Sequence, residues 1–352
     1  MQNKINKTIL AGLTLSELEK FITDIEEPKF RAKQLHQWIY KKPASTFDQM
    51  SNLSKDFRNK LSELAVITNI QISQKVVSKD GTIKYLLEYP DGKRVETVLM
   101  SYQNRPNLTA CISTQIGCAV GCVFCATGKK GFVRNLTSAE IIEQLLAIQM
   151  DTGLVVTNIV FMGQGEPLLN YEETVKAINI INSEFEIGMR RITVSTCGIA
   201  PNIRKLTELN RQLILALSLH APDSELRKQL MPIENKYPLD EVMEALKFFT
   251  RKTGRRVTIE YLLIDKINDS IEHAYKLNSL LKDLKCNINL IPFNPIKECG
   301  FKKPSVERVN KFKEILDLGT KKATIRLERG NDIAAACGQL AGDQTNSIYT
   351  NH

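Results

Sequence analysis

The sequence predicts an α/β fold: a parallel sheet of alternating strands and helices, preceded by a helical accessory piece and a small β element. Three observations carry this. From about residue 108 apolar strand-like runs alternate with helical stretches, and regular βα alternation implies a parallel sheet, either open or curled into a full or partial barrel. Residues 14 to 65 instead keep a helical period. Residues 69 to 100 change to β-rich runs broken by turn residues.

In the first segment, Thr14-Leu-Ser-Glu-Leu-Glu places acids early, as suits a helix start. Phe30-Arg-Ala-Lys-Gln-Leu-His-Gln-Trp-Ile-Tyr then puts Leu35, Trp38 and Ile39 on one face. Lys29, Arg31, Lys33, Lys41 and Lys42 lie on or beside that helix, where they either contact phosphates or form its solvated face. Asp80-Gly81 and Asp91-Gly92 are hairpin signals in the β-rich segment. Strands follow near 108 to 114, 156 to 162, 191 to 197, 213 to 219, 256 to 264 and 286 to 292, and Ala323-Thr-Ile-Arg-Leu-Glu adds a last one. The first helix between them opens with a capping-box pair, Thr137 and Glu140. The expected division is an accessory unit over 1–95, a core over 96–341 and a polar tail over 342–352.

The 43% hydrophobic share supports a sizeable core. The N-terminal apolar run is too short and broken for a signal peptide, and no stretch approaches the roughly 18 apolar residues of a membrane span. The expectation is a soluble cytoplasmic protein with no membrane partner. In that setting eight cysteines point to metal binding or catalysis rather than structural disulfides. Net charge is +9, which favours a polyanionic partner. Residues 1 to 100 carry 16 basic and 12 acidic side chains, leaving 32 and 27 for the remainder, so the excess is spread along the chain.

The most informative stretch is Cys118-Ala-Val-Gly-Cys122-Val-Phe-Cys125. Three cysteines within eight residues can turn their sulfurs toward one centre while apolar neighbours exclude water, as an iron-sulfur cluster requires. Four irons normally take four thiolates, so the trio leaves either a distant fourth cysteine or one iron with an open coordination site. The bland readings are a zinc site, which usually needs a second Cys pair or paired histidines, and buried unligated cysteines.

Parallel βα folds bind ligands outside the carboxyl ends of their strands. Here those ends run into Gly163-Gln-Gly-Glu-Pro167, Ser195-Thr-Cys-Gly198, Ser218-Leu-His220 and Pro292-Phe-Asn-Pro295. Each alone is weak, since Gly and Asn punctuate ordinary loops and a lone histidine is usually structural. Their shared placement points to one site.

The C-x3-C-x2-C spacing resembles that of the radical S-adenosylmethionine (SAM) enzymes. Together with Cys111 in Ala110-Cys-Ile-Ser-Thr-Gln-Ile-Gly-Cys, Val95-Glu96-Thr97-Val98, Phe161-Met-Gly-Gln-Gly-Glu-Pro-Leu and Gly330-Asn-Asp-Ile-Ala-Ala-Ala-Cys-Gly-Gln-Leu, it closely resembles the bacterial adenine-C2 RNA methyltransferases of the RlmN type. The likeness runs from the N-terminal helices to about residue 341. It implies a partial (β/α) barrel of the radical SAM type with an RNA-binding accessory domain. It also implies a 4Fe-4S cluster on Cys118, Cys122 and Cys125, and a SAM site of Gly165, Glu166, Ser195, Ser218, Leu219, His220 and Asn294. Cys337 would carry a methyl group as S-methylcysteine, Cys111 would resolve the adduct through a transient disulfide, and either Cys111 or Glu96 would take the carbon-2 proton. Two SAM are implied per turnover. Ala334 departs from the usual acidic residue of this motif and Cys197 from the usual serine; the first implies no lost chemistry and the second a packing role.

The implied substrate is an adenosine of 23S ribosomal RNA at the peptidyl-transferase centre, with adenosine 37 of some transfer RNAs as a second target, and an electron donor such as flavodoxin or ferredoxin. Carbon 2 of adenine is electron-poor and cannot attack a SAM methyl group directly, so a thiolate takes it first. The nearest rival is the related adenine-C8 methyltransferase, from which Pro167 leans away; a remote one is a non-catalytic RNA-binding iron-sulfur protein.

Overall fold

A computed structural model describes residues 7–102, 105–209, 212–296 and 299–342. The expected polar tail beyond 342 lies outside the described residues.

The first unit is helical. Two short parallel strands, β1 (Thr8–Ile9) and β2 (Ala65–Val66), bring its ends together. Helix α1 (Leu15–Asp24) is closed by a capping box: Thr14 Oγ1 accepts the Glu17 N–H at 3.2 Å, and the Glu17 carboxylate accepts the Thr14 N–H at 2.8 Å. Helix α2 (Arg31–His36) runs into a π-helical turn over Gln37–Lys41, and α3 (Lys55–Leu64) starts at the Ser54 cap. Leu18, Ile22, Leu35, Ile39, Phe57 and Leu61 face inward, each stabilising the fold by on the order of 2 kcal/mol. Trp38, expected on that face, is half-buried and donates to Asn52 Oδ1 at 2.6 Å. The unit shares one apolar core with the rest of the chain, and His36 pairs with Glu184 across the junction. Of the five basic residues near α2, Lys29 pairs with Glu19 at 2.9 Å, Lys41 pairs with Glu186 at 2.8 Å, and Arg31 lies over the Phe30 and Phe57 rings.

Strands β3 (Gln71–Val77), β4 (Ile83–Glu88), β5 (Arg94–Tyr102) and β6 (Arg105–Cys111) form an antiparallel meander, with Gly81 and Gly92 at positive φ in its first two turns. Next come β7 (Gln115–Gly117), α4 (Ala126–Lys130), β8 (Phe132–Asn135) and α5 (Ser138–Thr152), whose Thr137–Glu140 capping box is present. The alternation that follows is β9 (Asn158–Phe161), α6 (Tyr171–Ser183), β10 (Ile192–Thr196), α7 (Ala200–Leu206), β11 (Ile214–Ser218), α8 (Ser224–Leu230) and α9 (Leu239–Thr253). It ends with β12 (Val257–Leu263), α10 (Ile271–Leu281), β13 (Cys286–Pro292), α11 (Val306–Asp317) and β14 (Ala323–Ile325).

These strands make one ten-stranded sheet in the order β14-β13-β12-β11-β10-β9-β6-β5-β4-β3. Neighbours from β6 through β14 are parallel, and β3 and β14 are its edges, so the sheet is open. Phe161 on β9, Ser218 on β11, Leu262 on β12 and Ile291 on β13 line one cavity against it. The expected small β element is continuous with this sheet. Residues 95 and 96, where the sequence places the boundary, lie within β5, which pairs with β4 on one side and β6 on the other. Composition cannot mark such a join, since a meander strand looks alike whether its neighbour belongs to a hairpin or to a barrel. No helix among the described residues is long and apolar enough to cross a membrane.

The α5 cap gives a direct check. Thr137→Ala is expected to lower unfolding stability by about 1 kcal/mol, read from urea denaturation.

Candidate active site

The cysteine loop hangs between β7 and α4. Gly117 sits at φ +73°, and a Cβ there would lie 1.9 Å from the Gly131 carbonyl oxygen. That oxygen accepts the Cys118 N–H at 2.9 Å, so the absence of a side chain at 117 lets the loop close on β8. Downstream, the Ala126 N–H donates to the Gly338 carbonyl at 2.8 Å and Thr127 Oγ1 to the Leu340 carbonyl at 2.6 Å. The loop is thereby tied to the C-terminal segment. Cys118, Cys122 and Cys125 all line one cavity at the carboxyl ends of the strands. Burial pushes the Cys118 thiol up to about 12 and also raises those of Cys122 and Cys125.

Gly163, Gly165, Glu166, Ser195, Ser218 and His220 line the same cavity. Gly165 has φ +96°, and a Cβ on it would meet the Gln115 side chain at 2.5 Å. Glu166 is a strut: its carboxylate accepts the Cys197 N–H at 2.7 Å and the Leu168 N–H at 3.0 Å. Burial raises its pKa and those hydrogen bonds oppose the rise. Ser195 Oγ and Ser218 Oγ are 3.3 Å apart. His220 Nδ1 accepts the Leu262 N–H at 3.0 Å, which leaves its proton on Nε2. Burial, then the Arg227 charge, pushes its pKa down to about 3. Leu219 is fully buried and is not part of the cavity wall.

A second cavity adjoins the first. Cys111 faces only this one, whereas Met162, Ile291, Arg326 and Cys337 line both. Cys337 therefore stands in the partition. Its carbonyl accepts Asn294 Nδ2 at 3.3 Å, and Asn294 lies on the second cavity rather than the first. Burial and a negative charge on Cys337 push the Cys111 thiol up to about 12, while Arg326 opposes them.

Like Leu219, the predicted site residue Glu96 reaches neither cavity. Its carboxylate is 2% exposed and is held by Lys84 Nζ at 2.9 Å and by the N–H groups of Ala341 and Gly342 at 2.5 and 2.8 Å. Glu260 and Arg326 were not anticipated. Glu260 lines the first cavity, buried, with Oε1 accepting from Asn289 and Oε2 3.8 Å from Arg326. The available signal was a charged residue inside an apolar strand run, Ile259-Glu-Tyr-Leu-Leu and Ala323-Thr-Ile-Arg. Cys197 is buried, as a packing residue would be, yet it also touches the first cavity.

Comparison with known proteins identifies the family. Family models match residues 8–67 (ribosomal RNA large subunit methyltransferase N-terminal domain) and 112–277 (radical SAM superfamily). A protein of Alkaliphilus oremlandii, "Probable dual-specificity RNA methyltransferase RlmN", is 49% identical over 96% of this chain and 98% of its own. The chain belongs to the RlmN family. An RlmN protein of a Thermoanaerobacter strain is 48% identical over 94% of this chain and 97% of its own. The crystal structure of a radical SAM methyltransferase from Sphaerobacter thermophilus superposes with TM-score 0.92 at 44% identity, covering 96% of this chain and all of that one.

As a radical SAM enzyme, an RlmN-family member uses a 4Fe-4S cluster and SAM. The donor set suits the cluster. No three His, Cys, Asp or Glu among the described residues converge on a single ion, as a zinc site requires. The three thiols instead share one cavity wall, where they would hold a polynuclear cluster and release their protons on loading it.

Two outcomes are expected. Gly117→Ala loses the bound cluster, read from iron content and visible absorbance after anaerobic reconstitution. His220 stays neutral from pH 5 to 8, so its ring carbon–proton NMR shifts do not titrate there; because its folded pKa lies below the unfolded 6.5, its contribution to stability is full above pH 6.5 and falls as pH drops toward 3.

Proposed function

We propose that the chain methylates carbon 2 of an adenosine in 23S ribosomal RNA at the peptidyl-transferase centre, and adenosine 37 of transfer RNA, with Cys337 as the methyl carrier. The observation that carries this reading is the placement of Cys337 in the wall shared by two cavities, with Cys111 facing only the second. When bound, the cluster and SAM supply both a transferable methyl group and a hydrogen-abstracting radical. What the chain adds is a sulfur that can be addressed from either side.

Cys337 is the nucleophile, and its thiolate is the competent form. Cys111 lies on the second cavity, where the adenine would enter, whereas the Glu96 carboxylate is taken up by Lys84 and two backbone N–H groups, so geometry favours Cys111 over Glu96 as the group that takes the carbon-2 proton. As the Cys111 thiolate bonds to the Cys337 sulfur, the bond from that sulfur to the transferred carbon breaks and its electron pair goes to the carbon. That carbon takes up a proton to become the methyl group of the freed RNA. The surplus electron of the adduct would return to the cluster, and the Cys111–Cys337 disulfide must be reduced before the next turnover.

The electron comes from a donor such as flavodoxin or ferredoxin. RNA is approached through phosphates and shape, as the spread basic excess suggests. Unstacking an adenine costs roughly a few kcal/mol, so free ribosomal RNA or an assembly intermediate is the better substrate.

Anaerobic holoenzyme with SAM, reductant and a ribosomal RNA fragment is expected to yield 2-methyladenosine by mass spectrometry, with none from Cys337→Ala. Appearance of 8-methyladenosine would move the product assignment to carbon 8, and methylation at the wild-type rate by Cys337→Ala would overturn the carrier role. Cys111→Ala is expected to accumulate a covalent RNA–protein adduct at Cys337, visible as a retarded band on a denaturing gel.

A further inference from the structure

Lys84 and Glu96 are both buried, at 8% and 2% exposure. On adjacent strands Lys84 stands opposite Val98, two residues from Glu96, so the two side chains are diagonal neighbours on one face. A buried ion pair is costly to desolvate and persists where its remaining hydrogen-bonding capacity is satisfied. Here that capacity goes to one stretch of backbone. Lys84 Nζ binds Glu96 Oε1 at 2.9 Å and the Ala334 carbonyl at 3.1 Å. Glu96 Oε2 accepts the N–H groups of Ala341 and Gly342 at 2.5 and 2.8 Å. Ala334 lies three residues before Cys337 and Ala341 four after it. Ala334 also has φ +51°, an unfavourable region for a residue with a Cβ, and its carbonyl is the one that Lys84 holds.

We propose that the Lys84–Glu96 pair is a positioning clamp that grips both ends of the Cys337 turn, sets the sulfur in the partition between the cavities, and transfers no proton. The inference rests on the reading of Cys337 as the methyl carrier. A general base must come within hydrogen-bond reach of the proton it removes, directly or through one water. The Glu96 carboxylate accepts three donors and faces neither cavity.

The test uses reconstituted holoenzyme of three variants, Lys84→Met, Glu96→Gln and the double Lys84→Met/Glu96→Leu, the last leaving no unpaired buried charge if a single variant fails to fold. Iron content checks that each is loaded. Methyl on the Cys337 peptide after incubation with SAM, without RNA, is read by mass spectrometry, and amide exchange is read at Ala341 and Gly342. The clamp requires faster exchange at both amides and Cys337 methylation slowed on the order of tenfold to a hundredfold, with iron content unchanged. If Glu96→Gln methylated Cys337 at the wild-type rate and stalled only once RNA was added, Glu96 would be a base and the clamp would be overturned. Failure of the wild-type enzyme to methylate Cys337 would instead sink the carrier reading. The exchange measurement still decides the clamp in that case, since unchanged protection in Lys84→Met contradicts it.

Discussion

The arrangement depends on how the segment from Gly330 to Gly342 is threaded. This segment belongs to no regular strand or long helix, yet it carries Cys337, which lines two cavities at once. It is held from several sides: the cluster loop binds the Gly338 and Leu340 carbonyls, Asn294 binds the Cys337 carbonyl, Gln339 reaches the Pro295 carbonyl at 2.9 Å, and Lys84 and Glu96 take the ends. A neutral hydrogen bond contributes about 1 kcal/mol net, so no single contact suffices. Together they tie an irregular segment to several parts of the fold.

The barrel provides the other half of the geometry. Parallel strands ending on one side bring loops from β9, β10, β11 and β13 to the rim, and the cluster loop enters from β7. Within that rim, charged-looking groups do quiet structural work. Glu166 ties the loop after β9 to the loop after β10. His220, neutral and with its proton on Nε2, presents a fixed donor and packs against the edge of Phe124 at 5.0 Å between ring centres. Phe124 in turn lies between Cys122 and Cys125, so the cysteine loop and the strand ends are packed together.

Much of this was legible in the sequence. Cys118, Cys122 and Cys125 are close in the chain, and spacing alone constrains where their sulfurs can go. The strand-end motifs were legible too, because chain direction in a parallel sheet assigns them all to one side. Two kinds of feature were not. The Lys84–Glu96 pair and its grip on Ala341 join positions some 245 residues apart, and nothing local in Val95-Glu96-Thr97 distinguishes an anchor from a base. The resemblance implies Asn294 as a SAM-site residue, yet its side chain lies on the neighbouring cavity, a difference that its position after β13 does not reveal. The continuity of β3 to β5 with the barrel escaped composition for the same reason, since edge-to-edge pairing leaves no mark on either partner's sequence.

The central claim is that the carbon crosses from cofactor to RNA on Cys337. It is tested most directly by pulse and chase. Holoenzyme is loaded with SAM carrying an isotopically labelled methyl group, freed of excess, and then given unlabelled SAM, reductant and a ribosomal RNA fragment for one turnover. The account predicts labelled methyladenosine and loss of label from the Cys337 peptide. Unlabelled product, with the label still on Cys337, would contradict it.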